Sequence, residues 1–237
     1  NKTILQSLND AVHQTPDDIA LVSYKTEEKS QKIFTYRELL HTSNRIALGL
    51  RRLGVQKSDV VSCQLPNWWE FSLLYIACRR IGAVLNPLMP IFRERELTFM
   101  LRHSESKVFI VPKQFRKFDH EQLANELKNN LSSLEHVVVI GGEGDNSFEK
   151  LLLNHGLDQD PQILNTLNDI TITGDDIAQL IFTSGTTGEP KGVMHTANTL
   201  FANIVPYAQR LGLNKQDVIL MASPMAHQTG FMYGLIM

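Results

Sequence analysis

Ile177-Ala178-Gln179-Leu180-Ile181-Phe182 runs without a break into Thr183-Ser184-Gly185-Thr186-Thr187-Gly188-Glu189-Pro190-Lys191-Gly192. A short apolar run, stopped by hydroxyls, glycines and a proline, predicts a buried strand that empties into a glycine-rich loop. The loop's chemistry suits a polyphosphate. Glycines let backbone N–H groups turn toward an anion with no Cβ in the way. Ser184, Thr186 and Thr187 add hydroxyl donors, and Lys191 adds a mobile cation at the far end. A hydrogen bond to a charged group is worth about 1.5–3 kcal/mol, so several together could order the loop around a ligand. The common P-loop needs its lysine inside Gly-Lys-Ser/Thr. Lys191 lies between Pro190 and Gly192, so that pattern fails. The plainer competitor is a Gly/Thr surface loop.

Strands and helices alternate on either side of this stretch. Ile4, Leu5, Leu8 and Val12 have helical spacing within Asn1 to His13. Ile19 to Tyr24 and Lys32 to Phe34 predict a strand hairpin. Thr35 to Glu38 reads as a capping box opening a helix that Gly54 closes. Asp59 to Leu65 predicts a strand, and Asn67 to Glu70 a second capping box for the helix that stops near Gly82. Trp68 and Trp69 at its first turn suit packing onto the sheet better than a ligand surface. Ala83 to Leu88, Lys107 to Val111 and His136 to Ile140 predict strands. Arg93 to His103 and Glu121 to Leu131 predict helices, and Ser147 to Asn154 a short one. Gly141-Gly142-Glu143-Gly144 has no Lys or Arg near it and reads as a surface turn rather than a second phosphate loop. Asp158 to Asp176 reads as an irregular connection.

Beyond the loop, Val193 to His195 predicts a short strand. Thr196 caps a helix carrying Leu200, Ile204, Tyr207 and Leu211 inward, and Gly212 ends it. Val218 to Met221 predicts a further strand, followed by Ser223-Pro224-Met225-Ala226-His227-Gln228-Thr229-Gly230 and a second apolar run. Alternation of this kind implies an α/β fold with a doubly wound parallel sheet. Ligands in such folds sit beyond the carboxyl ends of strands, where the glycine-rich loop and the Pro224–Gly230 turn are both expected.

Composition narrows the classes. A chain of 237 residues can bury a large core, and a net charge of −2 gives no electrostatic reason to expect nucleic acid. Cys63 and Cys78 are the only cysteines, and both sit among apolar neighbours. Buried free thiols and a reducing cytoplasm are the expectation, and no Cys/His pair has zinc spacing, so no metal ligands are assigned. Asn1 to Asp10 has neither a basic nor an apolar leader region, and no run of about 20 apolar residues exists to span a bilayer. Val218 to Met237 reads as core. The chain stops within that apolar run, which suggests truncation and an exposed apolar end at Phe231 to Met237.

The stretch from Leu180 to Lys191 resembles the signature of the adenylate-forming superfamily, which includes acyl-CoA synthetases, luciferases and peptide-synthetase adenylation domains. Phe34-Thr35-Tyr36-Arg37-Glu38-Leu39 and Ala77 to Pro90 are similar to less specific segments of the acyl-CoA synthetases. Trp68 to Phe71, Arg93 to Leu97 and Pro224 to Phe231 look most like bacterial short- and medium-chain acyl-CoA synthetases and cyclohexanecarboxylate–CoA ligases. The resemblance implies the N-terminal portion of the family's large domain. Residues 1–58 would begin one Rossmann-like subdomain, 59–205 would form the second, including the phosphate loop at 183–192, and 206–237 would return to the first.

It also implies a two-step reaction. A carboxylate attacks the α-phosphorus of ATP, releasing pyrophosphate, and the thiol of CoA then takes the acyl group. Thr183, Ser184, Gly185, Thr186, Thr187, Gly188 and Lys191 would hold ATP phosphates, with Mg²⁺ bridging phosphate oxygens. His227 would lie beside the reacting carboxylate, and Lys191 and His227 are the candidate catalytic residues. The family's adenine-, ribose- and magnesium-binding segments and its C-terminal lysine are not in the sequence, so these residues alone are expected to be inactive. A carrier-protein or other acceptor, or a non-catalytic nucleotide-binding module, is the alternative. The resemblance leaves a homo-oligomer open.

Overall fold

A computed structural model describes residues 3–183 and 189–237. Helix α1 (Ile4–Gln14) opens on a reciprocal cap between Thr3 and Gln6. Strands β1 (Ile19–Lys25) and β2 (Ser30–Thr35) pair as an antiparallel hairpin. Thr35 and Glu38 then form the expected capping box of α2 (Tyr36–Arg52), whose hydrogen bonds hold the Glu38 carboxyl below its usual range. There follow β3 (Val60–Cys63), α3 (Trp69–Ile81), β4 (Val84–Pro87), α4 (Glu94–His103) and β5 (Val108–Pro112). A small hairpin, β6 (Gln114–Phe115) with β7 (Phe118–Asp119), leads into α5 (His120–Asn130) and β8 (His136–Ile140).

The connection to the next strand contains a π-helical turn at Glu149–Leu153, a 3₁₀ turn at Leu157–Gln159 and the short helix α6 (Pro161–Asn165). It is therefore more regular than its polarity suggests. Pro161 at the first helical position, capped by Asp160, explains the last of these. The chain closes with β9 (Ile177–Phe182), β10 (Gly192–Thr196), α7 (Ala197–Leu211), the short α8 (Gln228–Phe231) and a π-helical turn at Met232–Ile236.

The main sheet has the strand order β10-β9-β4-β3-β5-β8. β9, β4, β3, β5 and β8 run parallel, and β10 adds an antiparallel edge. Alternate residues of each strand feed opposite faces. Val108, Ile110, Val138 and Ile140 join the core beneath α2, α3 and α7, whereas Phe109, Val111, Val137 and Val139 meet Leu97, Leu101, Leu123 and Leu127 of α4 and α5. Both faces are covered, which is why these strands read as continuous apolar runs. α3 is buried almost all round between the sheet and α2, and Gly82 ends it in a left-handed conformation (φ 73°) that favours glycine.

Several expectations are corrected. Asn67 and Glu70 do not form a capping box: the N-cap of α3 is Trp68, with no side-chain cap bond. Glu70 is instead buried and paired with Lys25 at 2.6 Å. Val218 to Met221 is not a strand. No described strand pairs with it, and Val218 and Leu220 are 95% and 90% exposed. Tyr207 and Leu211 of α7 are exposed, while Leu200 and Ile204 are buried. In turn, Phe231, Met232 and Ile236 are buried in the core rather than left as an apolar end.

Packing explains the tryptophans. Trp68 meets Phe115 edge-on at 6.0 Å, and Trp69 lies between Phe34 at 5.4 Å and Phe148 at 6.2 Å. Cys63 and Cys78 are free and buried, and burial raises the Cys78 thiol to about 12. A thiol held so far from ionisation is inert at neutral pH.

Candidate functional site

β9 delivers its carboxyl end to the loop, and β10 carries the chain back beside it. Gly192 pairs with Phe182, Val193 with Ile181 and Met194 with Leu180. The pairing continues one step further. The Thr183 N–H donates to the Lys191 carbonyl at 2.9 Å, and the Lys191 N–H donates to Thr183 Oγ1 at 3.3 Å. Both residues are exposed, so the lysine cation stands in solvent at the foot of the loop. Ser184, Gly185, Thr186, Thr187 and Gly188 lie outside the described residues.

Behind β10, Thr196 caps α7 and reaches Thr199 reciprocally. The N-terminus of α7 is tied to the chain just before β9 by Asn198, whose N–H donates to Gly174 O at 2.9 Å and whose Nδ2 donates to Asp175 Oδ1 at 2.7 Å. At the start of β9, Arg79 of α3 donates from Nη1 to Ile177 O at 2.9 Å. The strand that carries the loop is thus fixed at its entry by two neighbouring elements.

The Pro224–Gly230 segment does not follow a strand. Its anchor is Asn67, just beyond the carboxyl end of β3. Asn67 Nδ2 donates to the carbonyls of Met221 (3.3 Å) and Ser223 (2.8 Å), and its Oδ1 accepts from the Met225 N–H (2.7 Å). Met225 and Ala226 are buried, and His227, next in the chain, is exposed. The His227 N–H donates to Pro224 O at 3.0 Å, its Nδ1 accepts from the Thr229 N–H at 3.4 Å, and its carbonyl accepts from Phe231 N–H at 2.9 Å. Phe231 then locks α8 onto α3, edge-on to Tyr75 at 4.9 Å and to Phe71 at 6.3 Å.

The structure therefore brings Thr183 and Lys191 together and holds His227 in a separate, braced turn. Among the described residues, no hydrogen bond or ion pair joins His227 to either of them. Nor does any group of three or more His, Cys, Asp or Glu side chains there offer a metal site.

A distinct groove of about 520 Å³ opens beyond β5 and β8, lined by Trp68, Lys25, Lys113, Asp119 and Gly141 among others. Both lysines are already paired, Lys25 with Glu70 and Lys113 with Glu143 at 3.0 Å. Gly141 sits in a turn, but the expectation that no Lys or Arg lies near this glycine run is corrected: Lys113 and Lys150 both reach Glu143, at 3.0 Å and 3.3 Å. Near the candidate site, Asn67 is one residue that sequence reasoning placed wrongly. Its Asn-x-x-Glu spacing imitates a cap, and only its long-range partners reveal the clamp.

This mixed α/β fold with its parallel-rich sheet is shared with solved acyl-CoA synthetases. It superposes on the long-chain-fatty-acid-CoA ligase of Archaeoglobus fulgidus with a TM-score of 0.78 at 23% identity, covering 98% of this chain and 44% of that one. For MbtA of Mycobacterium smegmatis the TM-score is 0.80 at 27% identity, over 98% and 42%. Residues 8–237 match the family of AMP-binding enzymes, and the chain belongs to that family. It is 37% identical over 233 residues to the medium-chain fatty-acid–CoA ligase of Escherichia coli (strain K12), covering 97% of this chain and 40% of the relative. It is 29% identical over 220 residues to the 2,3-dihydroxybenzoate-AMP ligase of Bacillus subtilis (strain 168), covering 93% and 38%. The chain thus spans about 40% of the length of these curated relatives.

Proposed function

We propose that the complete protein is an acid–thiol ligase that activates a carboxylic acid, fatty or alicyclic, with ATP and passes the acyl group to CoA. In the first step a carboxylate oxygen bonds to the α-phosphorus of ATP and pyrophosphate leaves. In the second, the CoA sulfur bonds to the acyl carbon and AMP leaves. Attack of one anion on another needs charge neutralisation and positioning above all.

Lys191 and Thr183, with Ser184, Gly185, Thr186, Thr187 and Gly188, hold the phosphates of ATP in this reading. His227 donates to a carboxylate oxygen and sets its angle of attack. The described residues supply no acidic ligand set for Mg²⁺. In this reading Mg²⁺ would arrive with the nucleotide and neutralise charge on it. Residues 1–58 and 206–237 belong to one subdomain and 59–205 to the other, and residues 1–237 alone do not complete the reaction. The reading places the protein in the cytoplasm; no helix among the described residues is long and apolar enough to cross a membrane.

The observation that carries the proposal is the Thr183–Lys191 clasp. It fixes the Lys191 backbone beside Thr183, at the carboxyl edge of a family member's sheet. The test is product formation: the complete protein, given ATP and a panel of fatty and alicyclic acids, should convert CoA to a thioester and release AMP. A panel with no thioester product would refute it.

A second reading is adenylation with an acceptor other than CoA, such as a carrier-protein thiol; the 29% identity to a relative named as a 2,3-dihydroxybenzoate-AMP ligase supports adenylation without favouring CoA. Acyl transfer to a carrier-protein thiol, with CoA inert, would establish it.

A further inference from the structure

The carboxamide of Asn67 spends all three of its bonds on one backbone segment, donating to Met221 O and Ser223 O and accepting from Met225 N–H. A planar amide that donates twice and accepts once fixes three backbone groups in one register. Aspartate would lose both donors, and alanine all three bonds. Tertiary clamps of this kind replace the strand ladder that the segment lacks, since residues 218–222 pair with no described strand.

What the clamp holds is the turn that presents His227. From Met225 the chain passes through buried Ala226, the His227 N–H returns to Pro224 O, and α8 begins. Asn67 itself is rooted at the end of β3. That strand runs parallel to β4, and β4 runs parallel to β9, so the end of β3 lies on the same edge of the sheet as Thr183. One short side chain therefore references the His227 turn to the sheet edge that carries the phosphate loop.

We propose that Asn67 is a positioning residue for acid activation, acting through the placement of His227 rather than by touching substrate. The proposal rests on the role given to His227 above. The experiment uses the complete protein with Asn67→Ala, Asn67→Asp, His227→Ala and the double variant Asn67→Ala/His227→Ala. It reads kcat and the KM values for acid and ATP in acid-dependent ATP–pyrophosphate exchange, together with the melting temperature.

Asn67→Ala is expected to lower kcat/KM for the acid by on the order of a hundredfold, the scale of a misplaced reacting group, with KM for ATP unchanged. Asn67→Asp should fail alongside it, because shape without donors does not restore the clamp. In the His227→Ala background the Asn67→Ala loss should largely vanish, since both changes remove one function.

Full activity of His227→Ala would overturn the role of His227 and this proposal with it. An impaired His227→Ala beside an unimpaired Asn67→Ala, or losses that multiply in full, would overturn the proposal for Asn67 alone. So would loss of a cooperative melting transition in both Asn67 variants, which would make Asn67 a folding residue.

Discussion

Thr183 and Lys191 hold each other across the foot of the glycine-rich loop, with Thr183 N–H on Lys191 O at 2.9 Å and Lys191 N–H on Thr183 Oγ1 at 3.3 Å. The first of these continues the antiparallel pairing of β9 and β10 by one backbone bond, and the Thr183 side chain supplies the second. Thr183→Val keeps the side-chain shape and removes the acceptor. Loss of one hydrogen bond of this kind costs about 0.5–1.5 kcal/mol. A small drop in melting temperature and a several-fold rise in KM for ATP are expected, and an unchanged KM for ATP would separate the clasp from phosphate binding.

Lys25 and Glu70 form an ion pair with side chains 13% and 2% exposed, and the Lys25 ammonium also lies 4.2 Å from the Trp68 ring centroid. Burial raises the Glu70 carboxyl, against the opposing pull of Lys25. Removing one partner strands a buried charge, so Lys25→Met should cost about 3–5 kcal/mol in chemical denaturation. Lys25→Met combined with Glu70→Leu should recover most of that loss. Equal destabilisation by the double and single variants would contradict this account.

His120 is 1% exposed, with Nδ1 bonded to Gln64 Oε1 at 2.9 Å. Burial, helped by the nearby positive charge of Arg93, lowers its pKa from 6.5 to about 4. In the unfolded chain the imidazole takes a proton near pH 6.5, whereas in the folded chain it stays neutral until about pH 4. The unfolded state therefore binds more protons in that window, and stability present above it is lost as pH falls through it. Melting temperatures measured across the window should fall more steeply for the native protein than for His120→Asn, and parallel curves would count against it.

Gly230 is set by close approach. A Cβ there would run into the Pro224 carbonyl oxygen and lie 2.6 Å from Pro224 C and 2.9 Å from Met225 N. These are backbone atoms, so Gly230→Ala must open the turn that holds His227. A cost of about 1–3 kcal/mol in thermal or chemical denaturation is expected, typical of overpacking. The same variant should raise KM for the acid, and native stability in Gly230→Ala would show the approach to be looser than it stands here.

Much of the scaffold was legible because its signals are local. Thr35 and Glu38 lie within one turn, and Leu97, Met100 and Leu101 repeat at helical spacing, so both helices could be read from short windows. What failed depends on distant partners. Glu70 reads as a cap residue until Lys25, 45 positions away, accounts for it. Asn67 reads likewise, because its partners at Met221 to Met225 are more than 150 positions off. Val218 to Met221 has strand-like composition, but a strand exists only where another backbone pairs with it. The hairpin of β6 and β7 is only two residues per strand, too short for any period to register. Of the candidate site, the strand that runs into Thr183 and the return strand after Lys191 were readable from residue types alone, whereas the clamp that holds the His227 turn was not.

The central claim is that Lys191 neutralises phosphate charge during acid activation, and acid-dependent exchange of radiolabelled pyrophosphate into ATP tests it most directly. The complete protein should exchange label only when a carboxylic acid is present. Lys191→Ala should lower that rate by about tenfold to a thousandfold, the range for removing one preorganised charge or donor from a transition state. Exchange in Lys191→Ala equal to that of the native protein, or no acid-dependent exchange at all in the native protein, would contradict the account.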